Sequence, residues 1–143
     1  NKSKTFKIVI NSAENEETLT GQLRPKKYTS NIQHIALRTD DIFKLSKQIQ
    51  DLGLETLKIS DNYYDDIDAK FGLETSILEK IKKNNILYDE DNEGYFFQIY
   101  TTLINNSFFF EFVQRNQGYE GYGANNAIFR ISAQKKLIHG RHT

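Results

Sequence analysis

Asn31-Ile32-Gln33-His34-Ile35-Ala36-Leu37-Arg38-Thr39-Asp40-Asp41-Ile42 is the stretch on which the fold turns. Ile32 to Arg38 is a compact apolar run that predicts a β-strand. Thr39 then supplies a hydroxyl cap, and Asp40 and Asp41 put acids into the first turn of a helix. Ile42, Leu45, Ile49 and Leu52 follow at helical spacing, and Gly53 stands where a left-handed terminating residue belongs. A strand therefore runs directly into an amphipathic helix. Downstream, Leu54–Ile59 reads as a second strand and the acidic, tyrosine-bearing Ser60–Asp68 as a loop. Ser76 and Glu79 make a capping-box pair for a short helix to about Lys83. Three strands are then expected at Ile86–Tyr88, Tyr95–Leu103 and Phe108–Arg115, separated by turns at Asp91–Gly94 and Asn105–Asn106. A Gly/Tyr/Asn loop, a weak element at Ala127–Leu137 and a polar tail close the chain. Upstream, Phe6–Ile10 is β-prone, and Asn11–Ser30, with a helical turn near Glu16–Leu23, reads as a connecting segment. Strands followed by helices on one face imply an α+β class.

The composition narrows the chemistry. At 143 residues the chain has room for about one domain. Hydrophobic residues are 38% and charged residues 27%, a globular balance. Nineteen basic residues cancel nineteen acidic ones, which argues against nucleic acid or an anionic membrane as partner. The absence of cysteine excludes disulfides, thiol nucleophiles and cysteine-ligated metals. No apolar run is long enough to cross a membrane or serve as a signal core, so a cytoplasmic location is expected. The chain opens on Asn1 and contains no methionine, which reads as a fragment or processed chain.

Two residues stand out for chemistry. His34 lies inside an apolar strand, sharing a face with Ile32, Ala36 and Arg38; a lone histidine there is commonly a hydrogen-bonded core residue. Glu111 lies within Phe108-Phe109-Phe110-Glu111-Phe112-Val113, with Phe109 and Val113 on its own face. It either meets solvent or is buried beside a cation or metal, because burying an unpaired carboxylate is costly. One histidine and one carboxylate make two-thirds of a facial triad, the donor set that leaves positions open on Fe(II). His139 and His142 sit in the tail and are poor ligand candidates. Gly118–Gly123 lacks the strand–loop–helix context of a phosphate loop, and Arg24, Lys26 and Lys27 read as solvated surface.

Residues 31–37, Thr39-Asp40-Asp41-Ile42 and Phe108–Arg115 resemble the C-terminal half of the 4-hydroxyphenylpyruvate dioxygenase family. Asp61–Tyr64 and Asn85–Asp89 add to the likeness, which covers about residues 6–131. The resemblance implies a βαβββ module of the vicinal oxygen chelate superfamily, here a partial open barrel lacking its preceding module. It implies His34 and Glu111 as two of three ligands to Fe(II), or another divalent metal, with a histidine of the preceding module as the third. Asn11 and Gln98 match the family's substrate-side asparagine and glutamine. The complete enzymes carry out oxidative decarboxylation and hydroxylation of an aromatic 2-oxo acid. Where the family has Asn-Phe after its glycine loop, this chain has Asn126-Ala127, which removes an aromatic wall from the substrate site. Asp61–Leu73, Asn85–Tyr100 and Gly118–Gln134 look more like the dioxygenase-like C-terminal region of bacterial bifunctional 3-dehydroshikimate dehydratases. That region would be noncatalytic or of different specificity, the dehydratase chemistry residing in the other domain.

The resulting expectation has three segments. Residues 1–30 are the end of the preceding module and a connector, 31–117 the metal-binding βαβββ module, and 118–143 a C-terminal loop and tail. Such a module is expected to be inactive alone. Its uncovered strand edge and hydrophobic face predict pairing with the missing module or with a second copy as a homodimer.

Overall fold

The computed structural model describes Ile8, residues 32–105 and residues 108–140, the last two of these without side chains. The chain divides into residues 1–31 and 32–143, and the described fold is that of the second unit. The segments expected at Phe6–Ile10 and Glu16–Leu23 lie outside the described residues.

Strand β1 (His34–Arg38) leads into helix α1 (Ile42–Asp51) as the sequence predicts. The cap differs by two residues: Asp41 is the N-cap, its carboxylate accepting from the Lys44 amide at 2.9 Å. The Thr39 hydroxyl oxygen accepts from the Asp41 amide at 3.3 Å and so shapes the approach instead. Two acids and a hydroxyl in succession are all competent caps, and the chain direction out of β1 selects the last. Gly53 ends the helix at φ +74°, with its N–H on the Gln50 carbonyl.

The next segment departs from expectation. Leu54–Ile59 is not a strand; it makes one isolated bridge, Thr56 to Thr101, while Leu57 and Ile59 are buried. The Ile59 amide is taken by the Asn85 side chain, so a ladder does not continue. Ser60–Asp68, expected as a loop, is part of helix α2 (Asp61–Phe71). Tyr63, Ile67 and Phe71 recur every four residues, and Tyr63 and Tyr64 are almost fully buried. The acidic run between them hid an apolar stripe. Helix α3 (Thr75–Lys83) follows, but the Ser76–Glu79 capping box does not form. Glu74 is the N-cap, and only its carbonyl meets the first-turn amides of Ile77 and Leu78.

Strands β2 (Leu87–Glu90), β3 (Gly94–Tyr100) and β4 (Phe109–Gln117) form the expected meander. Asp91 closes the first turn, its carboxylate accepting from the Glu93 and Gly94 amides. The sheet order is β1-β4-β3-β2, with β1 parallel to β4 and the other pairs antiparallel. A 3-10 turn (Ala124–Asn126) then opens α4 (Ala127–Gly140), so the weak element of the sequence is a four-turn helix rather than loop and tail.

Strand alternation gives the sheet two faces. One carries Phe97, Ile99, Phe112 and Gln114 and receives α1: Phe43 packs edge-on against Phe97, and the Gln114 side chain accepts from the Ile42 amide. The other carries His34, Gln98, Tyr100, Phe109, Glu111 and Val113, and the 3-10 turn and α4 lie across it. The assembly is a four-stranded open mixed sheet with helices, consistent with a partial vicinal-oxygen-chelate module. No described helix is long and apolar enough to cross a membrane.

Candidate metal centre

Register brings the two sequence candidates together. His34 lies opposite Phe109 across the parallel β1–β4 pair, and Ala36 lies opposite Glu111. His34 and Glu111 are thus diagonal neighbours on one face, and their side chains converge with Nε2 3.4 Å from Oε2. The imidazole stacks on the Phe109 ring at 5.2 Å, which fixes its plane. Glu111 is buried between apolar neighbours, its side chain 10% exposed against 29% for His34.

The other Glu111 oxygen is held from the far side. Gln98, fully buried on β3, donates from Nε2 to Glu111 Oε1 at 2.7 Å and to the Tyr100 hydroxyl at 2.9 Å. Its Oε1 accepts from Asn126 Nδ2 at 2.7 Å. Asn126 is oriented in turn by Tyr63, whose hydroxyl lies 3.0 Å from Asn126 Oδ1 and accepts from the Tyr88 amide at 2.7 Å. Burial holds the Tyr100 phenol well above its ordinary value, and the Glu111 charge and their hydrogen bond add to this against the opposing Arg130. Tyr100 therefore stays protonated and donates toward Glu111. The chain Tyr63–Asn126–Gln98–Glu111 fixes Oε1 and leaves Oε2 facing His34.

The state of His34 decides what that gap can hold. Burial lowers its pKa; Glu111 pulls the other way, and Arg130 adds to the lowering. The lowered value favours the neutral ring at neutral pH. Nδ1 lies 3.3 Å from Gln33 Oε1, and in the tautomer with the proton on Nδ1 the Nε2 lone pair is turned toward Glu111. In that tautomer two lone-pair donors face each other at 3.4 Å. That arrangement suits a cation: donors about 2.1 Å from a metal at right angles stand about 3 Å apart. A neutral imidazole nitrogen and a carboxylate oxygen are an appropriate pair for a divalent first-row metal. No cluster of three or more His, Cys, Asp or Glu occurs among the described residues, so the pair accounts for two positions and no more.

Of the remaining sequence candidates, Asn11 and His142 lie outside the described residues, as does the side chain of His139. Gln98 was expected at the substrate; it is wholly enclosed and its amide engages Glu111 and Asn126. A surface depression of about 460 Å³ around Gly53, Lys58 and Leu137 shares no residue with this centre.

No family profile matches the chain. A 3-dehydroshikimate dehydratase of Pseudomonas putida is 36% identical over 137 residues, covering 95% of this chain and 22% of the relative. A 4-hydroxyphenylpyruvate dioxygenase of Pseudomonas aeruginosa is 29% identical over 139 residues, covering 94% of this chain and 39% of the relative. Over nearly its whole length the chain is similar to these proteins, consistent with a C-terminal dioxygenase-like domain. Among solved structures, a fusion of a xylose isomerase-like TIM barrel with a 4-hydroxyphenylpyruvate dioxygenase matches at a TM-score of 0.71 and 40% identity, over 73% of this chain and 17% of that one. A triple mutant of 4-hydroxymandelate synthase from Streptomyces coelicolor matches at 0.64 and 29%, over 74% and 30%. The dioxygenase-like domain thus spans only about a fifth to two-fifths of these relatives' length.

Sequence reasoning missed the supports of the site in this domain. Tyr63 was hidden in an acidic run, and Asn126 in a glycine-rich loop. Arg130 lies in the segment of weakest periodicity; only its i,i+4 spacing from Gln134 marked it.

Proposed function

We propose that residues 31–117 are the metal-binding module of an Fe(II)-dependent dioxygenase, with His34 and Glu111 as two of the ligands. The approach of His34 Nε2 to Glu111 Oε2 at 3.4 Å on one face of the sheet carries this reading. A third ligand comes from a preceding module, in keeping with the share of the relatives that this chain spans. Fe(II), or another divalent ion, would supply a chelation point for a 2-oxo acid and a means of activating dioxygen. The protein's own part is positional. Gln98 holds Glu111 by one oxygen, the Tyr100 hydroxyl accepts from the same Gln98 amide, and Phe109 fixes the His34 plane. In this reading Gln98 acts through Glu111, and Asn11 contacts substrate. The whole protein acts on an aromatic 2-oxo acid; this chain alone is inactive, and it pairs with the missing module or with a second copy as a homodimer.

The second reading is a domain of a bifunctional 3-dehydroshikimate dehydratase that is noncatalytic or of different specificity. The 36% identity to such a protein over nearly the whole chain favours it. The first test is an anaerobic Fe(II) titration of this chain beside His34→Ala and Glu111→Gln. Saturable binding lost in both variants is expected; retention in either removes that residue from the centre. Oxygen uptake by the iron-loaded parent protein with 4-hydroxyphenylpyruvate then separates the readings, and none with iron bound selects the second.

A further inference from the structure

Asp89 is a buried carboxylate outside the His34–Glu111 pair. It lies on β2, 6% exposed, and cross-strand register places it in one row with Phe96 on β3 and Arg115 on β4. That row is on the same face of the sheet as Glu111 and next to the row of Gln98 and Val113. Both Asp89 oxygens are engaged by the segment between β4 and α4. Oδ2 accepts from the Tyr119 hydroxyl at 2.8 Å, and Oδ1 accepts from Asn125 Nδ2 at 3.4 Å. Burial, and after it the bond to Asp89, pushes the Tyr119 phenol up to about 12, so the hydroxyl stays a donor. A carboxylate is costly to bury unless its hydrogen bonds are met, and here this loop meets them.

The rest of the row ties down the same loop. Tyr119 stacks on Phe96 with ring centroids 5.0 Å apart, and with Val113 the two form a small buried cluster apart from the main core. The Arg115 guanidinium lies over the Phe96 ring, 4.6 Å from its centroid, and donates twice to the Gly121 carbonyl, at 3.1 and 3.3 Å. The Tyr119 hydroxyl also accepts from the Gly123 amide at 3.1 Å, which closes the loop on itself. The loop in turn meets Gln98. The Tyr122 carbonyl accepts from Gln98 Nε2 at 3.3 Å, and Gly123 has no room for a Cβ against the Gln98 amide. Asn126, next in the chain to Asn125, donates to Gln98 Oε1 at 2.7 Å. Two acceptors, Tyr122 and Glu111, thus face one end of the Gln98 amide and a donor faces the other. Turned over, the amide would set its oxygen against the Glu111 carboxylate and the Tyr122 carbonyl, so the loop decides which way it points.

We propose that Asp89 is a positioning residue for the metal centre: it holds loop 119–126 so that the loop orients Gln98, which in turn holds Glu111 Oε1. Asp89 acts at two removes, through Tyr119 and Asn125 and then through Gln98. This deepens the reading above and rests on it only for calling Glu111 a metal ligand, because the orientation of Gln98 belongs to the metal-free chain. The alternative role for Asp89 is to tie the loop to β2 for stability alone. Cutting that tie would lower the melting temperature without loosening the Gln98 amide more than any other loss of stability does.

The test is solvent hydrogen exchange of the Gln98 side-chain amide, followed by NMR in the full metal-free chain. Asp89→Leu removes both carboxylate oxygens, and Tyr119→Phe removes the hydroxyl while keeping the ring on Phe96. Each is expected to speed exchange of the Gln98 Nε2 protons about tenfold or more, with Asp89→Asn, which keeps an oxygen for Tyr119, in between. Ile81→Val, buried on α3 in the main core, is the control for lost stability alone and should leave this exchange within about twofold of the parent. Unchanged exchange in both Asp89→Leu and Tyr119→Phe, or equal acceleration in Ile81→Val, overturns the proposal. If Asp89→Leu fails to fold, Tyr119→Phe decides by the same criterion. Fe(II) affinity should fall across the variants in the same order, and an affinity equal to the parent's in Tyr119→Phe overturns the positioning role. A parent chain that binds no Fe(II) counts against the metal reading alone, because the exchange comparison contains no metal and still decides what Asp89 does to Gln98.

Discussion

Replacing Gln98 with leucine tests the support on which the centre depends. Gln98 is fully buried, and its amide makes a 2.7 Å bond to a carboxylate, a 2.9 Å bond to the Tyr100 hydroxyl and a 2.7 Å bond from Asn126. A hydrogen bond to a charged acceptor contributes about 1.5–3 kcal/mol, and each neutral one about 0.5–1.5 kcal/mol. Leucine regains roughly 1 kcal/mol through its extra buried apolar surface. The net loss expected is about 1.5–5 kcal/mol. Urea unfolding of the metal-free chain, followed by far-ultraviolet circular dichroism, should show a lower midpoint at unchanged slope. Part of the cost is the stranded carboxylate, so adding Glu111→Leu should not add its full cost. The double variant is expected to be at least about 1.5 kcal/mol more stable than the sum of the single losses implies. A Gln98→Leu loss under about 1 kcal/mol, or strict additivity of the pair, would refute the idea that Gln98 holds Glu111 in place.

Other outcomes follow from the same geometry. The His34 pKa is lowered by burial, so between its folded value and the ordinary 6.5 the unfolded chain binds more protons. Stability of the metal-free chain should be fully present above pH 6.5 and fall as the pH drops toward the folded value, by at most about 1.4 kcal/mol per pH unit. His34→Asn should flatten that segment of the profile; an unchanged slope would assign it to other groups. Gly123 adopts φ +59°, and a Cβ there would stand 2.3 Å from Gln98 Oε1. Gly123→Ala should therefore cost more than the about 1–2 kcal/mol of a left-handed alanine, whereas Gly53→Ala, with nothing within 4 Å of its Cβ, should cost only that. Equal losses in thermal unfolding would show that Gln98 yields freely. Fe(II) affinity should also fall in the Gly123 variant and not in the Gly53 one.

How much of this was legible beforehand varies with the kind of signal. The β1–α1 unit and the three-strand meander were read directly from Ile32–Gly53 and residues 86–115, because local pattern and final structure agree there. Helix α2 was misread because Asp65, Asp66 and Asp68 dominate its composition, while only the spacing of Tyr63, Ile67 and Phe71 matters for packing. Leu54–Ile59 has the composition of a strand but meets only one strand partner, and pairing rather than propensity makes a sheet. Helix α4 carries apolar residues around much of its circumference, so its periodicity is faint.

By itself, the sequence determined the α+β class, the strand-borne His34 and Glu111, and the resemblance that makes them ligand candidates. These rest on local periodicity and on motifs contiguous in the chain. Only the tertiary structure decided that 76 residues of intervening chain close so that the two side chains meet. It alone assembled Tyr63, Asn126, Gln98 and Tyr100 behind Glu111, and set Arg130 over Phe109. Register between strands and the placement of a helix across a sheet are settled by packing and by satisfying buried polar groups, contacts between residues that no short window of sequence contains.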